Sequence, residues 1–218
     1  MEMDSRTKMQ KVKRQRNQRG EGTRLKSEFV EAAMRILDRN PTSPLSLRMV
    51  AKEAGVTAPA VYMQFPDAAA MLKEVVHECW RQMANDMRHA LKVSGECSPL
   101  ETLLTSAQAY VRYAMERPSR YHLLFDMPGV SAMDPVGPVR PVFRVIAEPI
   151  EQMAINNEPV PLSDPILAAL LVLSIAHGRI ALAHTAPVRP ENSTDFVENF
   201  VRISVEQIFE DRKIASAL

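Results

Sequence analysis

The chain has 218 residues, 46% of them hydrophobic and 24% charged, a composition that predicts a folded protein with one large or two modest domains. Its two cysteines, Cys79 and Cys97, show no metal-like spacing and follow no secretory segment, which argues against a disulfide framework and fits the cytoplasm. The net charge is +1, yet the first 26 residues hold nine Lys or Arg and three acids. Residues 1–22 are therefore predicted to be a disordered basic arm that binds polyanions, with a solubilising tail as the alternative.

Helical spacing of apolar residues recurs along the chain, and no run alternates between apolar and polar residues, so an all-α fold is predicted. The first helix is expected from about Thr23 to Asn40, where Pro41 and Pro44 end it. Together with two short helices that follow, it is expected to form a compact three-helix head, residues 23–69.

Residues 46–65 have the pattern of a helix-turn-helix, two short amphipathic helices joined at Gly55. The first helix buries one apolar face, made of Leu47, Val50, Ala51 and Ala54. Ser46 is expected to cap its N-terminus, and Gly55 supplies the left-handed conformation that ends it at low cost. Thr57 is expected to cap the second helix, and Pro59 fits the first turn of that helix.

In a helix-turn-helix the second helix lies in the major groove of DNA, with its first residues at base edges. The candidate base-facing residues are Thr57, Ala58, Pro59, Ala60 and Met63. The candidate phosphate-binding residues are Ser46, Arg48, Tyr62 and Gln64, joined by Arg24 and Lys26 from the basic stretch. Because the base-facing set has no Arg, Asn or Gln for bidentate pairing, readout is expected to use thymine methyl groups, the Thr57 hydroxyl and DNA shape.

Residues 70–218, which we call the body, are predicted to form a larger helical domain for ligand binding and dimerisation. A long helix over residues 67–94 connects it to the head, and Pro99 opens the next helix, which Pro118 ends or kinks. The remaining helices are expected at about residues 121–125, 142–156, 166–183 and 195–212. Residues 126–141 contain four prolines and two glycines, which predict a loop that we interpret as a lid.

The helix expected from Ile166 to Ala183 is apolar on every side, although Ser174, His177 and Arg179 interrupt it. An arginine in mid-bilayer would be costly, so we interpret the segment as a buried helix and predict no membrane association. Such a helix must be covered all round, and two C-terminal helices paired with their copies would give a four-helix interface. A homodimer through these helices is therefore predicted.

An apolar cavity for a small-molecule effector is predicted in the body, where methionine and aromatic side chains concentrate. Its candidate lining residues are Trp80, Met83, Met87, His122, Phe125, Met127, Met133, Phe143 and His177. Plain core packing is the alternative for these side chains. No histidine spacing predicts a metal site, and no nucleophile elbow, phosphate-binding loop or zinc signature is present, so neither an enzyme nor a cofactor is expected.

Several segments resemble the tetracycline-repressor (TetR) family. Residues 24–75 are similar to its DNA-binding domain through Leu47-Arg48-Met49-Val50-Ala51-Lys52-Glu53-Ala54-Gly55-Val56 and Val61-Tyr62-Met63-Gln64-Phe65-Pro66-Asp67. Residues 110–125 resemble a subgroup with a Trp-x-x-x-His-Gly signature through Glu116-Arg117-Pro118 and Tyr121-His122-Leu123-Leu124-Phe125, and so does Ala176-His177-Gly178. Leu173 stands where that subgroup has its tryptophan.

The resemblance implies a cytoplasmic transcription regulator, expected to be a repressor that a small apolar or amphipathic effector releases from a palindromic operator. The fourth helix in this family commonly opens with a phosphate-binding lysine, and Ala68 stands at that position, so one phosphate contact is expected to be lost. The alternative is an all-helical ligand-binding protein or enzyme with a vestigial head. Ala68 is the only support for that alternative.

Overall fold

The computed structural model describes residues 21–40, 44–126, 137–185 and 189–210. Within these ranges it has nine α-helices, one short 3₁₀ helix and no strand, as the helical spacing predicted. Most of the predicted arm and of the predicted lid lie outside the described residues. The disorder of the arm and the role of the lid therefore stay predictions.

The head consists of three helices, α1 (Glu21–Arg39), α2 (Leu47–Glu53) and α3 (Ala58–Tyr62). The first helix begins two residues before its predicted start, so the predicted arm overlaps it at residues 21–22. The core of the head is small and apolar, and its most buried side chains are Phe29, Ala32, Ala33, Met34, Val50, Val61 and Phe65. A core of this size holds the two short helices against α1.

The long helix α4 (Ala68–Ser94) belongs to both parts of the molecule. The Asp67 carboxylate caps it by accepting a hydrogen bond from the Ala70 amide at 2.7 Å. The Cys79 thiol lies 3.9 Å from the Met34 sulfur of α1, while Trp80 and Met83 enter the core of the body. The predicted division at residues 69 and 70 therefore falls within the first turn of a continuous helix.

Five further α-helices complete the body: α5 (Pro99–Glu116), α6 (Pro118–Asp126), α7 (Arg140–Ile155), α8 (Pro165–Thr185) and α9 (Thr194–Glu210). The 3₁₀ helix Pro190–Asn192 precedes α9. α5 is the central helix, because it packs against each of the other helices of the body. α7 begins at Arg140, two residues earlier than predicted, and it continues through Pro149.

α8 is long and apolar enough to cross a membrane by length and composition alone. The core helix of a soluble protein passes the same test, and α8 contacts α5, α7 and α9. Arg179 also donates hydrogen bonds to the Glu191 carbonyl and, at 3.2 Å, to the Asn192 side chain. These contacts place α8 as a packed helix of the body.

Candidate DNA interface and effector site

The turn between α2 and α3 has the geometry that the sequence predicted. The Ser46 hydroxyl accepts a hydrogen bond from the Met49 amide at 3.3 Å and so caps α2. Gly55 adopts φ +66°, the left-handed conformation that glycine reaches without a side-chain clash. This turn aims α3 away from α2 and exposes its outer face.

The predicted capping hydrogen bond of Thr57 is wrong, because its hydroxyl bonds no amide of α3. An N-cap side chain normally accepts from the second or third helical residue, and the second residue is Pro59, which has no N–H. The third amide, on Ala60, instead donates to the Thr57 carbonyl at 3.0 Å. Thr57 is exposed, and its hydroxyl is available to a bound molecule.

The predicted base-facing and phosphate-facing residues between positions 46 and 64 are exposed or half-buried on the head, and we call them the candidate DNA surface. Met63 is 84% exposed and Tyr62 is 51% exposed, which is unusual for large apolar side chains. Thr57, Pro59 and Arg48 are also exposed, and the rest of the set is half-buried, namely Ser46, Ala58, Ala60 and Gln64. The surface is solvent-facing and mostly apolar, as the sequence indicated.

The two candidate cations near the start of α1 are already paired. Arg24 donates to Glu28 one turn later at 3.1 Å. The Lys26 ammonium lies 2.7 Å from the Glu74 carboxylate of α4 and 5.6 Å from the centre of the Phe65 ring. Lys26 therefore ties the head to α4, and it must leave Glu74 before it can reach a phosphate.

The side chains of the predicted effector residues differ in how deeply they are buried in the body. Trp80, Met83 and Met87 of α4 and Phe143 of α7 are buried in the core. Phe125 and His177 are half-buried and His122 is exposed, while Met127 and Met133 lie outside the described residues.

An aromatic cluster joins part of this set to residues that sequence analysis did not select. We define it as Trp80, Tyr110, Tyr121, Phe125, His177 and His184. Its hydrogen bonds run from the Tyr110 hydroxyl to the Tyr121 hydroxyl at 3.2 Å, and from Tyr121 to His177 Nδ1 at 2.7 Å. The Phe125 ring lies 4.1 Å from His177 and 5.8 Å from Trp80, centre to centre, and Tyr121 lies 5.7 Å from His184.

The titratable groups of the aromatic cluster are held in their neutral forms. Burial raises the pKa values of Tyr110 and Tyr121 above the ordinary tyrosine value. Burial lowers the pKa of His177, and burial together with the nearby His122 lowers the pKa of His184. The cluster therefore carries no formal charge near pH 7.

Two polar groups in the aromatic cluster lack a hydrogen-bond partner within the described part of the chain. These are the indole N–H of Trp80 and both ring nitrogens of His184, all of them buried. A buried polar group without a partner costs free energy, so such groups are uncommon in native cores. A ligand that offers hydrogen-bonding atoms beside an apolar ring would match this chemistry.

Sequence reasoning missed Tyr110, Tyr121 and His184 as cluster members. His177 and His184 lie seven residues apart on α8, a spacing that places both on one helix face and gives a usable signal. Tyr110 and Tyr121 lie on different helices and meet His177 only through tertiary packing. Local spacing gives no signal for that contact.

Two surface cavities lie away from the aromatic cluster. One, of about 440 Å³, lies between α4 and α5, and its lining includes His89, Ala109, Arg112 and Tyr113. The other, of about 500 Å³, lies between α1 and α4 beside Lys26 and Glu74. Neither is lined by a predicted effector residue. In the described ranges no group of three or more His, Cys, Asp or Glu is placed to hold a metal ion.

Comparison with known families supports both halves of this architecture. The family described as bacterial regulatory proteins, tetR family, matches residues 29–75. The family described as tetracyclin repressor-like, C-terminal domain, matches residues 103–203. No curated protein gives a significant match.

Solved structures share the fold over most of their length. A Mesorhizobium loti protein described as a TetR-family transcriptional regulator is 21% identical, with a TM-score of 0.68, and the match covers 88% of this chain and 97% of that one. RolR in complex with resorcinol is 16% identical, with a TM-score of 0.62 and coverages of 91% and 96%. The regulator PfmR from Thermus thermophilus is 18% identical, with a TM-score of 0.56 and coverages of 84% and 98%.

A helix-turn-helix head on an all-helical body defines a DNA-binding transcription regulator. Two family matches, one on each part of the chain, agree with that class. The chain belongs to the TetR family of regulators.

Proposed function

We propose that the protein is a homodimeric repressor whose heads bind a palindromic operator and which a small amphipathic effector releases. The head, residues 23–69, reads DNA, and the body, residues 70–218, binds the effector and the second subunit in the cytoplasm. The observation that carries the proposal is the exposed face of α3, where Tyr62 and Met63 stand out from a small, well-capped head.

The dimer is supported by exposed apolar side chains on the last two α-helices, which we call the α8–α9 face, and the Arg179 guanidinium lies over two of its rings, those of Phe196 and Phe200. Its large side chains, between 43% and 65% exposed, are Ile166, Leu167, Leu182, Phe196, Phe200 and Ile203. Ser174 and Gly178 are exposed on the same helix as Leu182, and a β-carbon added to Gly178 would meet nothing within 4 Å. Small residues beside large apolar ones let a second helix pack closely, so the face suits a copy of itself.

The effector site is assigned to the aromatic cluster because its chemistry is that of an adaptable ligand site. It is neutral and largely apolar, and among the described residues the Trp80 indole N–H and the His184 ring nitrogens have no hydrogen-bond partner. The RolR structure, which shares the fold, contains resorcinol, a one-ring diol. An aromatic or amphipathic molecule of similar size is the class of effector that we propose.

Release from DNA requires that the effector bind one arrangement of the heads more tightly than the other. The helix α4 is a direct physical link, because Trp80 in the aromatic cluster and Asp67 at the head lie on or beside the same helix. A shift of α4 on effector binding would change the spacing of the two α3 helices across the dimer.

DNA binding is tested by selecting duplexes from a random pool with the wild-type protein and measuring the affinity of the selected duplex. Met63→Glu places a carboxylate on the proposed DNA surface and should weaken binding about tenfold or more, since it faces the phosphate charge. Val93→Glu adds the same charge to a residue that is 74% exposed near the end of α4, and it should leave affinity unchanged. Failure of the wild-type protein to enrich any duplex would favour a vestigial head.

Effector binding is tested through Trp80, the only tryptophan in the chain. One-ring phenols, beginning with resorcinol, should change its fluorescence in a saturable way and release the selected duplex over the same concentration range. Phe125→Leu should weaken both effects, because Phe125 packs between Trp80 and His177. Phe209→Leu makes the same change at a buried residue of α9, outside both the aromatic cluster and the α8–α9 face, and serves as the control.

A further inference from the structure

Two consecutive residues of α6 make polar contacts with different parts of the molecule. Tyr121 bonds His177 inside the aromatic cluster. Arg120 instead bonds Asp38 near the end of α1, in the head. One short helix therefore contacts the proposed effector site and the DNA-binding head at the same time.

The contact with the head is a two-pronged ion pair with a third partner. Arg120 Nε donates to Asp38 Oδ1 at 2.8 Å, and Nη2 donates to Oδ2 at 2.5 Å. Arg120 Nη1 donates to the Gln82 side chain of α4 at 2.8 Å. Because the guanidinium is planar and its donors are fixed, this geometry sets the orientation of α6 against both α1 and α4.

Geometry and the burial of Arg120 distinguish this joint from the ion pair between α1 and α4. The Arg120 side chain is 15% exposed and that of Asp38 is 38% exposed, whereas Lys26 and Glu74 are 38% and 45% exposed and make a single contact. The carboxylate of Asp38 also raises the pKa of Arg120 through its hydrogen bonds, so the guanidinium stays charged. Shielded, two-pronged pairs hold their geometry better than exposed single contacts, which solvent and salt weaken.

We propose that Arg120 is the positioning residue that transmits the state of the aromatic cluster to the head, through its paired contact with Asp38. This proposal rests on the proposed function, because it takes the cluster as the effector site and the head as the DNA reader. A movement of Tyr121 relative to His177 displaces α6, and Arg120 passes that displacement to α1. The path through α6 acts beside the path along α4, and Gln82 links the two.

The test is a double-mutant cycle between residues that do not touch. Tyr121→Phe removes the hydroxyl that bonds His177, and Asp38→Asn removes the charge that holds Arg120. Affinity is measured for the duplex that the wild-type protein selects from the random pool. Tyr121→Phe should change this affinity by roughly fivefold or more, within the usual range of coupling between sites. In the Asp38→Asn background the same substitution should change it by less than about twofold.

Matched variants separate coupling from general destabilisation. Glu74→Gln breaks the exposed Lys26 pair, which joins α1 to α4 and not to α6, and it should leave the full Tyr121→Phe effect. Arg120→Gln should behave as Asp38→Asn does, and Arg120→Lys should restore part of the effect because it keeps the charge without the fork. An equal Tyr121→Phe effect in all backgrounds, or none in the wild-type background, would overturn the proposal.

A second readout needs neither DNA nor effector. Spin labels at Lys52→Cys in the head and Ala154→Cys in α7, with Cys97→Ser and dilution into unlabelled chain, report the distance between head and body. Tyr121→Phe should shift this distance in the wild-type background and not with Asp38→Asn. If no duplex is selected, the proposed function fails while the distances still decide the coupling. Unchanged distances reject the coupling even where operator binding is found.

Discussion

The two candidate binding regions of this protein differ in their exposure: one faces the solvent and the other is buried. The candidate DNA surface of the head lies on α2, α3 and the residues beside them and points outward, with Met63 84% exposed. The aromatic cluster points inward, with Trp80 1% exposed and contributions from α4, α5, α6 and α8. An outward surface binds its partner without repacking the head, whereas an inward cluster cannot accept a ligand without moving the helices that form it. This difference gives the body, rather than the head, the capacity to change shape.

Two ion pairs, one in the head and one in the body, show a similar contrast in exposure. In the head, Arg35 and Arg39 both bond Glu53 at the surface, and their hydrogen bonds, that of Arg39 first, lower the Glu53 pKa. Exposed pairs of this kind contribute little to stability. In the body, Arg112 holds Glu198 with two hydrogen bonds, and the Glu198 side chain is 8% exposed. Loss of Arg112 would leave a buried carboxylate unpaired, which is strongly destabilising.

The largest effect is expected on dimerisation, at a third surface, the α8–α9 face. Ile203→Glu places a charge on a residue that is 64% exposed in the single chain, so the fold should persist. In a dimer the same charge would be buried without a partner, and dimer affinity should fall at least about a hundredfold. Analytical ultracentrifugation over a concentration series measures this change. Val93→Glu is the matched control, and an unaltered dimer in Ile203→Glu would place the interface elsewhere.

The next effect concerns the predicted basic arm, most of which lies outside the described residues. Deletion of residues 1–19 removes seven of the nine Lys and Arg found in the first 26 residues. Each phosphate contact that is lost should reduce the slope of log affinity against log salt by about 0.9. Titration of the selected duplex at several salt concentrations measures the slope. Identical slopes for the full-length and shortened chains would make the arm a tail without a DNA contact.

Local signals in the sequence predicted the helices well, because each boundary depends on a few neighbouring residues. Ser46, Asp67 and Ser98 cap α2, α4 and α5 within three residues, and Asp164 bonds the Ile166 amide at the start of α8. The exposed face of α3 followed from the same kind of signal. Thr57 is the N-cap residue of α3, as predicted, and the absence of its side-chain hydrogen bond has a local cause in the missing N–H of Pro59.

The inward site was only partly predictable, because its contacts join distant parts of the chain. Tyr121 and His177 are 56 residues apart, and Arg120 and Asp38 are 82 residues apart. The sequence showed that aromatic and methionine side chains concentrate in the body, and it predicted Trp80, Phe125 and His177 as lining residues of the effector site. Which of them bond to which depends on how α5, α6 and α8 pack, and helical spacing does not specify that packing.

A smaller effect, on DNA affinity, is expected at Thr57 in the exposed region. Thr57→Ala removes a hydroxyl that caps nothing, so thermal stability should be almost unchanged. If the hydroxyl reaches a base, affinity for the selected duplex should fall by about 1 kcal/mol and discrimination between duplex variants should narrow. Ser46→Ala removes a real cap and should lower the stability of the head by about 1 kcal/mol. Equal losses on selected and random DNA for Thr57→Ala would limit Thr57 to phosphate contact.

The smallest effect is expected on the pH dependence of stability, through the two histidines of the aromatic cluster. His177 and His184 have pKa values lowered by burial in the folded chain, so both are neutral there at pH values where an unfolded histidine begins to bind protons. Above the unfolded value of about 6.5 neither state binds these protons, and stability is unaffected by them. As the pH falls below about 6.5, the two histidines bind protons in the unfolded chain but not in the folded chain, so the free energy of unfolding should decrease. Urea unfolding at pH 7.5 and pH 5.5 measures the decrease, and His177→Gln with His184→Gln should make it smaller. An equal decrease in the double variant would mean that other groups, and not these two histidines, take up the protons on unfolding.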